Sequence, residues 1–153
     1  MKQKKFILEY SEIADIHSNR LKQAITKIKK WIPFTPSALE QFDEDKVAFL
    51  DMMTTRFGKL QDIIGARIFP LILEILGEDA PAFIDKVNRL EKLSYVPDAE
   101  WWMNLRELRN QITHDYPNNY ELLAEHCNIF VQKSEELIEY WHSLKLKIHA
   151  ISK

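Results

Sequence analysis

The chain has 153 residues and 18.2 kDa, with 46% hydrophobic and 29% charged residues, three glycines and a net charge of −2. That length and apolar content suit one domain spanning 1–153 and exclude a disordered, collagenous or low-complexity chain. One cysteine, Cys127, excludes a disulfide scaffold. The first segment carries Phe6, Tyr10, Ile13, His17, Leu21, Ile25, Ile28 and Ile32 at steps of three and four, so it reads as an amphipathic helix ended by Pro33 and Pro36. Ser37-x-x-Glu40 has capping-box spacing behind Thr35-Pro36, and Asp43-Glu44-Asp45 marks the next helix start. A long helix follows to about Leu76, with Val47, Phe49, Leu50, Met53, Phe57, Leu60, Ile64, Ile68 and Leu71 as its apolar positions. Gly65 inside it suits a close helix crossing, Pro70 predicts a kink, and Gly77 a stop.

Two shorter helices are expected over about Ala80–Leu93 and from Asp98, the latter closed by Pro117. Asn118-x-x-Glu121 looks like the cap of the last helix. Its stripe is Leu123, Cys127, Phe130, Ser134, Leu137, Trp141, Leu144, Ile148 and Ile151. The expected fold class is all-α: an up-and-down bundle of four main helices plus a short one. The apolar run Ile68–Leu73 is far shorter than the roughly 20 residues of a membrane span. The basic N-terminus lacks the long apolar region of a secretory signal, so a cytoplasmic location is expected.

The near-neutral charge argues against a protein that grips long stretches of nucleic acid, and any such contact rests on a local patch. Lys2, Lys4 and Lys5; Lys22, Lys27, Lys29 and Lys30; Arg106 with Arg109; and Lys145 with Lys147 are the choices. A di-metal bundle needs two Glu-x-x-His pairs, and only Glu139-Tyr140-Trp141-His142 has that spacing. No metal or cofactor is expected. Cys127 on the last stripe reads as a buried structural thiol, and His17 as a partly buried histidine. With three glycines, a phosphate-cradling loop is close to excluded. Trp101 and Trp102 are expected to face opposite ways and to serve packing.

One stretch concentrates ionisable groups at a helix end before a proline: Arg106-Glu107-Leu108-Arg109-Asn110-Gln111-Ile112-Thr113-His114-Asp115-Tyr116-Pro117. Arg106, Arg109, Thr113 and Tyr116 form one stripe. His114 lies roughly 140° around an ideal helix from Arg109. The two converge only if the helix loosens or a second copy of the chain supplies its own pair. Alternatively Arg109 pairs with a carboxylate and His114 caps the helix C-terminus.

Arg109-x4-His114-x-Tyr116 resembles the motif of HepT-type toxins of the HEPN superfamily, with Asn110 as the polar residue after the arginine. Arg56-Phe57-Gly58-Lys59-Leu60-Gln61-Asp62-Ile63-Ile64-Gly65 resembles the second-helix signature of HEPN proteins encoded beside minimal nucleotidyltransferases. The resemblance implies a homodimeric, metal-independent endoribonuclease, the toxin of a pair whose antitoxin is a minimal nucleotidyltransferase. It makes His114 the general acid/base, Arg109 the phosphate stabiliser, and Asn110 the group that orients substrate or His114. Arg106 is then an RNA contact, and Tyr116 the acceptor of AMP from the partner. An alternative is a non-catalytic substrate-binding subunit of a two-component nucleotidyltransferase.

Overall fold

The computed structural model describes residues 2–112 and 119–153, and every regular element among them is helical. The helices are α1 (Lys2–Ile28), α2 (Pro36–Glu40), α3 (Glu44–Ile63), α4 (Phe69–Ile75), α5 (Phe83–Lys92), α6 (Ala99–Ile112) and α7 (Tyr120–Ile151). A 3-10 turn, Lys29–Trp31, extends α1, and a π-turn, Ile64–Ile68, joins α3 to α4. Among the described residues no helix is long and apolar enough to cross a membrane.

The directions of the long helices follow from who touches whom. His17 meets Arg56 and Tyr10 meets Arg67, so α1 and the α3–α4 segment run antiparallel. Arg109 meets Asp62 while Trp102 meets Gly65, so α3 and α6 do too. Lys4 reaches the Lys153 carbonyl, Asp15 meets Trp141 and Lys145, and Lys29 meets Glu135, which sets α7 antiparallel to α1. The four long helices α1, α3, α6 and α7 therefore alternate up and down. The shorter α2, α4 and α5 fill the ends, a subdivision finer than the four-plus-one helices expected.

The helix boundaries are chemical. Asp43 accepts from the Lys46 N–H at 2.9 Å and starts α3 as expected. Asp98 Oδ1 accepts from Glu100 N–H at 3.0 Å at the head of α6. Two expected caps shift by a residue or two. The α2 cap is Thr35, whose hydroxyl accepts from Ala38 N–H at 3.2 Å; with Pro36 occupying the first helical position, Ser37 already lies inside. The α7 cap is Asn119, accepting from Leu122 N–H at 3.0 Å, not Asn118. Gly77 ends α4 at φ +70°, and Glu78 N–H bonds Leu73 O at 2.8 Å in the six-residue closure that favours glycine there. Ser94 closes α5 the same way at φ 67°.

The break expected at Pro70 is made one turn earlier. In the π-turn, Phe69 N–H bonds the Ile64 carbonyl, five residues back. This widened turn resets the ladder before Pro70, which then needs no N–H of its own.

The core joins Ile7, Leu21 and Ile28 of α1 with Met53, Phe57 and Leu60 of α3, Phe69 and Ile72 of α4, Trp102 and Leu105 of α6, and the expected α7 seam from Cys127 to Ile148. The face of α1 is rotated from the expected one. Phe6 and Ile13 are exposed, while Ile7, Ser11, Ala14, Ser18 and Leu21 are buried. Small residues win this face because they let the long helices approach. The Ser11 hydroxyl donates to the Ile7 carbonyl at 2.7 Å and so presents an apolar surface. The tryptophan pair serves packing as expected, but the two rings do not face opposite ways. The rings of Trp101 and Trp102 lie 6.2 Å apart and both pack near Tyr140, because α7 passes across the start of α6.

Candidate functional site at the α3–α6 crossing

The site is built on a seven-residue repeat shared by two helices. Trp102 and Arg109 are seven apart on α6, so they leave it on nearly the same side. Gly58 of α3 and Gly65 of the π-turn that continues it are seven apart and face them. A Cβ on Gly65 would lie 3.2 Å from Trp102 Cζ2, and one on Gly58 would lie 3.6 Å from Arg109 Cγ. Two bare backbone positions thus let the larger α6 side chains lie down on α3.

Arg109 crosses Gly58 and ends on Asp62. Its Nε donates to Oδ1 at 3.1 Å and to Oδ2 at 3.2 Å, and its Nη2 donates to Oδ2 at 2.7 Å. This two-point geometry fixes the plane of the guanidinium. The side chains of Arg109 and Asp62 are 30% and 50% exposed, so the pair sits at the surface. Among the described residues nothing bonds Arg109 Nη1. Arg106, one turn earlier, lies 4.3 Å over the ring of Phe83 at the start of α5. Asn110 is exposed on the last turn of α6. His114 and Tyr116, with Thr113, lie outside the described residues. Of the expected set, the structure therefore brings Arg106, Arg109 and Asn110 to one end of α6.

Sequence reasoning did not single out Asp62, although it lies inside the Arg56–Gly65 segment. Nor did it pair His17 with Arg56. On the other flank of α3, Arg56 Nη1 lies 3.0 Å from His17 Nδ1. A guanidinium only donates, so Nδ1 accepts and the ring proton sits on Nε2. Burial, then Arg56 and then Lys59, hold the His17 pKa below its usual 6.5. A depressed histidine binds its proton more readily in the unfolded chain. Its contribution to stability is thus present above pH 6.5 and is lost as pH falls through the lowered folded value. His17→Gln keeps an acceptor for Arg56 but cannot titrate. Urea midpoints measured across pH are expected to fall less steeply below 6.5 in that variant than in the wild type.

Other singled-out groups read as structural. Cys127 is 4% exposed, and burial raises its thiol to about 11, so it is inert as a nucleophile at neutral pH. A cavity of about 480 Å³ lies against α7 between Tyr95, Trp101 and Lys147, where the Tyr140 hydroxyl donates to the Tyr95 carbonyl at 2.6 Å. Chemically, the α6 end offers an oriented guanidinium held by a carboxylate at an exposed helix crossing, and an anion reaches that guanidinium only by displacing Asp62 or sharing it with Asp62. No family model, characterised protein or solved structure matches the chain.

Proposed function

We propose that this chain is a HEPN-type endoribonuclease of the HepT kind, the toxin of a pair completed by a minimal nucleotidyltransferase antitoxin. The observation that carries the reading is Arg109-x4-His114-x-Tyr116, whose arginine is delivered, oriented and partly exposed, by the last turn of α6. Cleavage of RNA by its own 2′-hydroxyl needs a base for that proton and positive charge for the phosphorane. The 2′-oxygen bonds to phosphorus as the bond to the 5′-oxygen breaks. His114 takes the 2′-hydroxyl proton, and protonated His114 supplies one to the departing oxygen. Arg109 faces the non-bridging oxygens and Asn110 orients the reacting groups. The products are a 2′,3′-cyclic phosphate and a 5′-hydroxyl, with no metal in the reaction.

The active form in this reading is a homodimer, in which the motif helices of two copies meet. The partner silences it by transferring AMP from ATP to the Tyr116 oxygen, which loses its proton as pyrophosphate departs, and the added anion cancels the charge of the Arg109 stripe. A specific observation favours the second reading, a non-catalytic subunit that presents substrate to the nucleotidyltransferase: Arg109 already holds a carboxylate, Asp62.

The test is intact mass and RNase activity of the protein purified alone and after co-expression with the product of the neighbouring gene. Cutting by the lone protein, and an AMP-sized addition that silences it, are expected. Tyr116→Phe should cut RNA and escape silencing. A folded, unmodified protein that cuts no RNA would transfer the assignment to the binding-subunit reading.

A further inference from the structure

Beside the Arg109–Asp62 pair lies a cleft of about 130 Å³, lined by Gln61, Asp62, Gly65, Ala66, Phe83 and Arg106. Gln61 on its wall and Trp102 behind Gly65 each carry a buried polar atom with no partner among the described residues. Gln61 is 2% exposed and its Oε1 has no hydrogen bond. Trp102 is fully buried and its indole N–H is also unpaired. That nitrogen lies 3.6 Å from where a Gly65 Cβ would stand, so only the bare glycine stands between it and the cleft. Buried polar groups are nearly always paired, and one left unpaired is costly. Here an acceptor on the cleft wall and a donor behind Gly65 are left unpaired beside the π-turn, a kind of helix defect that recurs at binding sites.

We infer that this cleft is a nucleobase subsite. The chemistry argues against a phosphate. The Asp62 carboxylate lines the cleft and repels an anion, and the Arg106 guanidinium that also lines it is stacked over the Phe83 ring. What remains for a ligand is a neutral acceptor, a neutral donor and the edge of a cation–aromatic stack. A planar base with neighbouring donor and acceptor matches that set. Amide side chains read bases by such pairs, and unstacked bases settle against aromatic rings and arginine planes. Adenine, with its amino group beside ring nitrogens, is the base of choice for the probe. In RNA, this subsite would seat a base next to the phosphate that meets Arg109. The inference rests on the RNA reading for that placement, while the base chemistry of the cleft stands on its own.

The test follows the Trp102 indole N–H resonance, one of four tryptophan signals, identified by its absence in Trp102→Phe. The probes are AMP and a 2′-O-methyl hexaadenylate, which lacks the attacking hydroxyl and cannot be cut. The Trp102 signal is expected to shift with the oligonucleotide. Gln61→Leu is expected to weaken oligonucleotide binding about tenfold, the loss of one buried hydrogen bond. The same variant should melt at a higher temperature, since it removes an unpaired buried amide. Ala66→Phe, placed on an exposed lining position outside the core, should block the cleft and weaken binding equally.

A shift with AMP alone would make the cleft a free-nucleotide site, and a shift with the oligonucleotide alone would make it an RNA subsite; either supports a base site. An unmoved Trp102 signal with both probes would overturn the inference, as would Gln61→Leu and Ala66→Phe variants that bind like the wild type. The two readings fail separately. A wild type that cuts RNA while Trp102 stays unmoved loses the subsite and keeps the nuclease. A wild type that cuts nothing while AMP moves Trp102 loses the nuclease and keeps the subsite.

Discussion

Arg109→Ala is expected to cut RNA cleavage by about 10²–10³-fold, the usual loss when one transition-state donor is removed, while leaving the fold in place. Both halves follow from where the side chain sits. The ion pair with Asp62 is partly exposed, and such pairs contribute about 0–1 kcal/mol. The stem lies on Gly58 at ordinary contact distance, a modest packing loss at the surface. A large activity loss with an almost unchanged melting temperature therefore separates a nuclease from a structural salt bridge. His114→Ala should lose a comparable amount, about 10²–10⁴-fold for an acid–base group. Asp62→Asn adds a finer test. It removes the anion that competes with phosphate for the guanidinium, so KM for RNA should fall. It also loosens the two-point clamp that sets the guanidinium plane, so kcat should fall as well. Arg109→Ala protein that unfolds at room temperature, or that cuts RNA as well as the wild type, would remove Arg109 from the chemistry.

The fold was legible wherever local chemistry decides. Asp43 and Asp98 announce helix starts because their carboxylates bind nearby backbone N–H groups, and Gly77 announces a stop because it accepts a positive φ. The face of α1 was not legible from hydropathy. Phe6 and Ile13 outrank Ser11 and Ser18 on any apolar scale, but helix approach distance decided which side turned inward. Pro70 signalled a break without saying that a widened turn would make it. At the site, Arg109 was visible from its motif. Asp62 was not, because a partner 47 positions away is set by the α3–α6 crossing and leaves no local pattern. The signal that was available is the spacing of Gly58 and Gly65, matched to that of Arg109 and Trp102. It predicts the crossing once the two helices are taken to be neighbours.

The largest stability effect is expected at Trp141. Its ring is fully buried on α7, and its N–H donates to Asp15 Oδ1 at 2.9 Å, while Lys145 holds Oδ2 at 2.6 Å. Trp141→Ala should cost about 3–5 kcal/mol, the range for emptying a large aromatic site. Against a total of roughly 5–15 kcal/mol for a domain this is severe. It corresponds to a fall in Tm of roughly 10 °C. Trp141→Phe should cost less, because most of the ring volume stays and Lys145 still pairs with Asp15. It should nonetheless cost more than Trp102→Phe. Both substitutions remove an equal piece of a buried indole, but only Trp141 gives up a hydrogen bond, since the Trp102 N–H has no partner among the described residues. The difference between the two variants in urea unfolding thus isolates the bond that ties α7 to α1. Equal costs would mean that the Asp15 carboxylate contributes nothing through Trp141, and that packing with the lysine contacts holds the two longest helices together.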